Sequence, residues 1–351
     1  MFPPPAISSK TVPIAGILTT IYGLAELPDD DDDGDGDGDG DAIACLWLLH
    51  PRLGTKERMT AIGTEVIRRY NDDDGKEEEA GDGRRRRRRG LIAVAFDQRN
   101  HGSRLVAPRA NEGWREGNPS HALDMFGILN GTALDAGALM DQLESYLERR
   151  VVVVQHLVLG VSLGGHTAWQ VLFREPRVAA AVVINGCPDY MRMMQDRARL
   201  SKRETYLHDG GASFLGSVDF PPALIARCLK YDPKGLLFGT RDIVTSPSAL
   251  QQVELRPKLD ATLRGKAVLV CSGADDRFVP YSNSKNFLNF LKHATRPNGW
   301  YADGGVHVED NVYPGVEHVF SAGMVQDSVR FLLNVLHGRD PEPEKRPVSN
   351  P

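Results

Sequence analysis

Along the chain, short runs of β-branched and other apolar residues alternate with stretches in which apolar side chains return every third or fourth position. An unbroken or alternating apolar run suits a strand, and a period near 3.6 suits one face of a helix. The pattern predicts strands over 12–19, 22–27, 42–49, 91–96, 154–161, 178–184, 267–272 and 306–312. Helices are expected over 55–70, 132–149, 165–174, 282–293 and 322–336. This alternation of apolar runs, such as 178–184, with helix-period segments is the signature of a parallel sheet covered by helices. The expected class is therefore α/β, a mostly parallel central sheet flanked by helices. Residues 188–266 break the alternation, with Met191, Met193, Met194, Phe214 and Phe220 among charged, proline and glycine positions. They read as a helical lid inserted between two strands.

Two stretches follow neither period. Residues 29–41 hold nine aspartates and no base, more than the whole net charge of −5. Residues 72–90 hold seven acids, balanced by Lys76 and the six arginines at 84–89. Neither has an apolar face whose burial offsets the entropy of ordering its backbone, so both are expected to be disordered insertions. No frame of the Asp-Gly run puts a glutamate at the twelfth position of an EF-hand loop. The arginines have acids just upstream, within a Debye length, and read as part of a self-neutralising loop rather than a nucleic-acid contact. With these stretches set apart, 351 residues make one domain over 11–338 between tails at 1–10 and 339–351. Cys45, Cys187, Cys228 and Cys271 show neither zinc spacing nor a disulfide framework and read as buried thiols in a reducing compartment. The apolar runs are too short for a bilayer span and 1–10 lacks a signal-peptide pattern, so the expected location is cytoplasmic.

Chemistry enters where an expected strand runs into Gly160-Val161-Ser162-Leu163-Gly164. A serine hydroxyl is a poor nucleophile unless it is exposed, held in place and set beside a base, and a sharp strand-to-helix turn supplies the first two conditions. Glycines at 160 and 164 leave room where side chains would collide. The N–H of Leu163, opening the next helix, points to where an oxyanion would form. An acid and then a histidine must follow along the chain. Asp275 and Asp276, after the strand ending at 272, are two adjacent candidates, and Asp189 is a third. His318, between the last strand and the last helix, is the candidate base. His166 reads as packing or pocket lining, and His293 and His337 lie near helix C-termini, where an imidazolium is favoured.

Together these motifs resemble the α/β-hydrolase superfamily, and the resemblance extends over roughly 11–338. Asp97-Gln98-Arg99-Asn100-His101-Gly102-Ser103-Arg104 looks like the family's D-x-R-G-H-G-x-S, with Asn100 for a glycine and Arg104 for a serine. Gly273 to Pro280 matches G-x-x-D-x-x-V-P, which aligns Asp276, not Asp275, with the family's acid, and His318 matches its G-x-x-H loop. The chain is also similar to fungal α/β hydrolases that share the D-Q-R-N-H-G-S-R and G-V-S-L-G-G-H runs, a likeness that carries no substrate. The resemblance puts His50-Pro51-Arg52-Leu53 in the loop that donates a second oxyanion N–H. Pro51 has none, which leaves Arg52 or, after it, Leu53.

What the resemblance implies is a serine hydrolase cleaving an ester or thioester of a small-molecule acyl substrate. Ser162 would be the nucleophile, His318 the base and Asp276 the acid, with Leu163 and Arg52 binding the oxyanion and no metal or organic cofactor. An acyltransferase or a serine peptidase would use the same triad. A non-catalytic binding protein would be marked by a lost triad member. Trp114, Met125, Phe126, Met191 and Met193 suit either an acyl pocket or ordinary core. Both charged insertions precede strand starts, so they are expected at the sheet edge opposite Ser162.

Overall fold

In the computed structural model the chain is described over residues 6–28, 41–73 and 89–339. The Asp-Gly run at 29–40, the charged stretch 74–88 and most of the two tails lie outside these residues, as does the expectation of disorder there. Among the described residues, eight strands form one sheet: β1 (Ser9–Ile14), β2 (Ile17–Tyr22), β3 (Asp41–Leu49), β4 (Gly90–Phe96), β5 (Val151–Val161), β6 (Val178–Ile184), β7 (Ala267–Gly273) and β8 (His307–Tyr313). Their order is β1-β2-β4-β3-β5-β6-β7-β8. β1 and β2 are antiparallel to each other and β2 to β4, and every other pairing is parallel. The helices are α1 (Thr60–Asp72), α2 (His121–Gln142), α3 (Leu163–Arg174), α4 (Tyr190–Leu200), α5 (Glu204–Leu207), α6 (Pro222–Tyr231), α7 (Pro233–Phe238), α8 (Ala249–Thr262), α9 (Lys285–Thr295) and α10 (Ala322–Leu336).

The unbroken apolar runs follow from burial on both faces. β3 sends Cys45, Trp47 and Leu49 into one cluster, with α3, α8 and α9, and sends Ala44, Leu46 and Leu48 into another, with α1 and α10. A third cluster joins α4 and α6 to the first half of α2 and reaches Leu163 and Val279 at the sheet edge.

The structure moves several expected boundaries. The strand expected over 12–19 is a hairpin, because Ala15 and Gly16 turn the chain with φ of 48° and 80°. Its run without a polar side chain, 12–18, passes through the turn and hides it. Ser9 and Lys10, assigned to a tail, belong to β1, and beyond Tyr22 no strand fills 22–27. α2 begins at His121, well before 132, because its first half packs under α4 and its second half against the sheet, which erases any single polar face. The expected lid 188–266 divides. α4 to α6 cover the sheet edge, whereas Leu237, Phe238, Leu255 and Leu259 place α7 and α8 in the layer packed on the sheet face. Trp114, Met125, Phe126, Met191 and Met193 are all buried in the third cluster. Asp41 and Gly90 open β3 and β4, whose other ends lead to His50 and Asp97, so the described residues bordering 29–40 and 74–88 sit at the edge opposite Ser162. No helix among the described residues is long and apolar enough to cross a membrane.

Four buried histidines are built in as neutral rings, each accepting a hydrogen bond at one nitrogen. His50 Nε2 accepts from the Gln98 N–H (3.0 Å), His121 Nε2 from Arg197 Nη1 (3.2 Å), His156 Nδ1 from Trp47 Nε1 (3.0 Å) and His166 Nδ1 from the Cys187 N–H (2.8 Å). Protonation would break that bond and strand a charge away from water. Burial accordingly lowers His50 and His156 to about 4, and His121 and His166 to about 3. As pH falls below about 6.5, the unfolded chain takes up protons that the folded one refuses, so stability drops from there until the folded values are reached. At about 1 kcal/mol per ring between pH 7 and 5.5, the loss is about 4 to 5 kcal/mol. Urea unfolding at the two pH values measures it, and coincident midpoints would contradict the neutral assignments.

Candidate active site

β5 ends at Val161 and α3 starts at Leu163, so Ser162 occupies the turn alone, with φ 54° and ψ −109°. That region costs a residue with a side chain about 1 to 3 kcal/mol, and the surroundings must hold it there. They do so through the Ser162 N–H, which donates to the Ile184 carbonyl (2.8 Å), and the Ser162 carbonyl, which accepts from the His166 N–H (3.0 Å). Tight backbone approach explains the flanking glycines. A Cβ on Gly160 would strike the Gly164 carbonyl, and one on Gly164 the Leu49 carbonyl. Backbone on both sides cannot yield as a flexible side chain would, so Gly164→Ala is expected to destabilise the fold by about 2 to 4 kcal/mol in denaturant titration. A stability within 0.5 kcal/mol of the parent, roughly that of a neutral surface change, would refute this close packing.

His318 follows β8, and its Nε2 lies 2.8 Å from Ser162 Oγ. Its Nδ1 lies 2.6 Å from Asp276 Oδ2, after β7. A carboxylate accepts only, so Nδ1 carries the ring proton and the Nε2 lone pair faces the serine hydroxyl. Asp276 is 5% exposed, and its other oxygen accepts from the N–H groups of Phe278 (2.8 Å) and Val279 (2.9 Å). Burial pushes this carboxyl up, but the His318 hydrogen bond and the two backbone N–H groups outweigh it and hold it below the usual carboxylate range. Ser162 is partly exposed, as is the His318 side chain at 22%. Asp275 is exposed. Asp189 caps α4, accepting from the Arg192 N–H (3.0 Å), and burial raises its carboxyl. Of the three acids singled out in the sequence, Asp276 is the one that meets His318.

No family model matches the chain, and no curated protein matches it. Among solved structures, the TT1662 protein of Thermus thermophilus is similar with a TM-score of 0.56 at 17% identity, over 95% of this chain and 99% of its own. A puromycin hydrolase is similar with a TM-score of 0.52 at 17% identity, over 96% of this chain and 40% of its own, so this chain spans well under half its length. The chain has the α/β-hydrolase fold.

In the α/β-hydrolase fold the carboxyl edge of the sheet carries the site residues, and two departures from the superfamily's pattern now have structural reasons. Asn100 has φ 60°, a conformation asparagine tolerates better than most residues, and its side-chain amide binds the N–H groups of Val106 and Ala107 and the Ala107 carbonyl. Arg104 reaches Asp135 on α2 (2.7 Å), which Arg99 also holds (2.8 Å). Asp97 accepts from the N–H groups of Lys56 and Ser103 and from the Ser103 hydroxyl, tying the loops after β3 and β4 together.

The loop after β3 turns at Pro51 to Gly54, closed by the Gly54 N–H on the Pro51 carbonyl (3.1 Å) with Leu53 at φ 59°. The Gln98 side chain fastens it to α3: its amide nitrogen donates to the His50 carbonyl, and its oxygen accepts from Thr167 Oγ1. Asn185 was not singled out in the sequence. Its amide oxygen accepts from the Gly273 N–H (3.1 Å) and its nitrogen donates to the Val319 carbonyl (3.0 Å), linking the start of the acid loop to the residue after His318. The available signal was Asn185-Gly186 at a strand's end, a pair that favours left-handed turns, and Asn185 has φ 49°.

Proposed function

We propose that the protein is a serine hydrolase that cleaves a carboxylic ester or thioester through an acyl-enzyme. The observation that carries this is the continuous hydrogen-bonded chain from Ser162 Oγ through His318 to buried Asp276, opening to solvent at the serine. Ser162 Oγ attacks the carbonyl carbon while its proton passes to His318 Nε2, and Asp276 stays ionised and stabilises the imidazolium. The oxyanion accepts from the Leu163 N–H, which in the first position of α3 has no acceptor within the helix, and from the Arg52 N–H in the turn after β3. When the tetrahedral intermediate collapses, His318 gives its proton to the leaving alkoxide or thiolate, which departs as alcohol or thiol. Water then attacks the acyl-enzyme, His318 takes a proton from it, and the acid is released as the proton returns to Ser162.

A fluorophosphonate probe tests the nucleophile directly. Mass spectrometry of the labelled protein is expected to place the adduct on Ser162, and p-nitrophenyl esters of increasing acyl length then rank the substrates. An unlabelled Ser162 together with no ester turnover would overturn the proposal.

A further inference from the structure

The guanidinium groups of two partly buried arginines near the triad have no role in the chemistry above, which uses only the backbone N–H of Arg52. Arg197, on α4, is held by neutral groups of α2: its Nη1 lies 3.2 Å from His121 Nε2 and 2.9 Å from Met125 Sδ. Arg52, in the turn after β3, donates from Nη1 to the Asn111 carbonyl (3.1 Å). His121 in turn bonds the neighbouring Glu112 carbonyl through Nδ1 (2.9 Å), so one short segment anchors both guanidiniums. Each lies within electrostatic reach of the other, and Arg197 also of Asp276. Neither has a carboxylate partner among the described residues, whereas Arg99 and Arg104 hold Asp135, Arg203 holds Asp219 and Arg330 holds Glu309. The nearby acids stand off: Asp276 binds His318, and Glu116, whose charge favours the Arg52 cation from a distance, accepts from the Gly113 N–H and makes no ion pair with Arg52 among the described residues. Within electrostatic reach of Arg197, His166, four residues after Ser162, spends Nδ1 on the Cys187 N–H, so Nε2 carries the proton and is a buried donor with no acceptor among the described residues.

Two like charges drawn partly out of water with no carboxylate in contact repel each other and lose hydration, and an anion bound by both would relieve both costs. Burial and the neighbouring Arg52 lower Arg197 to about 10, which is this strain seen from the proton's side. We propose that Arg52 and Arg197 bind a carboxylate carried by the substrate close to its scissile carbonyl, with His166 Nε2 as a further donor. The substrate class is then a carboxylate-bearing ester or thioester, such as a half-ester of a dicarboxylic acid. This rests on the serine-hydrolase reading. It also sets the site against peptides presented by a free amine, for which the paired cations are the wrong sign.

The test compares kcat/KM for mono-4-nitrophenyl glutarate with that for 4-nitrophenyl valerate, and for 3-acetoxybenzoate with that for phenyl acetate. These pairs place the charge on the acyl and on the leaving side. The native protein is expected to prefer the charged member of one pair by about 10-fold or more. Arg197→Met and Arg52→Met should each cut that ratio about 10- to 100-fold, mainly through KM, with partial recovery in Arg197→Lys. Arg192→Met, on the exposed side of the same helix, should leave the ratio in place. Ratios near one in the native protein, or unmoved by both arginine variants, overturn the proposal, and so does inhibition by inorganic phosphate but not by glutarate. Should Ser162 take no probe and no ester be turned over, the hydrolase reading fails. Calorimetric titration with glutarate then decides the anion site alone: binding that Arg197→Met abolishes supports it, and no binding overturns it.

Discussion

Under the proposed mechanism, replacing Ser162 by alanine is expected to lower kcat/KM for ester substrates by about 10,000- to 1,000,000-fold, with no covalent adduct from a fluorophosphonate. The size follows from what the hydroxyl does. In the proposed mechanism its Oγ bonds to the acyl carbon and gives its proton to His318 Nε2, which lies 2.8 Å away. Without it no acyl-enzyme forms, and the remaining catalysis is what the oxyanion donors and binding give to direct attack by water. The loss should fall on kcat, because the groups that receive the substrate remain. Stability should hardly change. The hydroxyl's hydrogen-bond partner is a partly exposed ring, and alanine meets the same backbone strain at φ 54° as serine. Thermal unfolding of the variant therefore separates lost chemistry from lost structure. Turnover within 10-fold of the native protein, in a variant that unfolds at the same temperature, would assign the chemistry to another group.

How much of this could be read from the sequence depended on how far apart the interacting residues lie along the chain. α10 was legible over its full length because one face packs against the sheet and the other meets water, which writes a 3.6-residue period into 322–336. The first half of α2 was not, because it packs under α4 while the second half packs against the sheet, so no single polar face runs along the helix. The hairpin between β1 and β2 was hidden by a run without polar side chains that passes through its turn. Ser162, Asp276 and His318 each sit in a local motif, and the structure brings their side chains within hydrogen-bonding distance across 156 and 42 residues of chain. Arg52 was singled out for its backbone N–H alone. That its charge falls within electrostatic reach of Arg197 has no local signature, since it arises only when α4 packs on α2. Asn185 is similar, a turn residue whose two partners come from other loops.

The second large effect is expected from Asp276→Asn, which should lower kcat by about 1,000- to 10,000-fold while leaving KM within a few-fold. Shape is conserved, so the loss comes from the direction of a hydrogen bond. Oδ1 is fixed by two donors, the N–H groups of Phe278 and Val279, and in the variant the amide oxygen must take that position. The amide nitrogen then faces His318 Nδ1, where the native carboxylate accepts. The ring can keep that contact only by accepting at Nδ1, which moves its proton to Nε2 and points it at Ser162 Oγ. A ring in that tautomer cannot take the serine proton, and the carboxylate that would stabilise its cation is gone. Turning the amide round restores the ring but sets its nitrogen against two backbone donors in a place nearly closed to water, which costs about 1 to 3 kcal/mol. Either arrangement leaves the nucleophile unactivated. Asp275→Asn is the matched control: the carboxylate is exposed and makes no bond to His318, so its loss should change kcat less than about 2-fold, as for other surface substitutions. If the two variants exchanged these outcomes, the acid of the triad would be Asp275 and the loop after β7 would have to rearrange to present it.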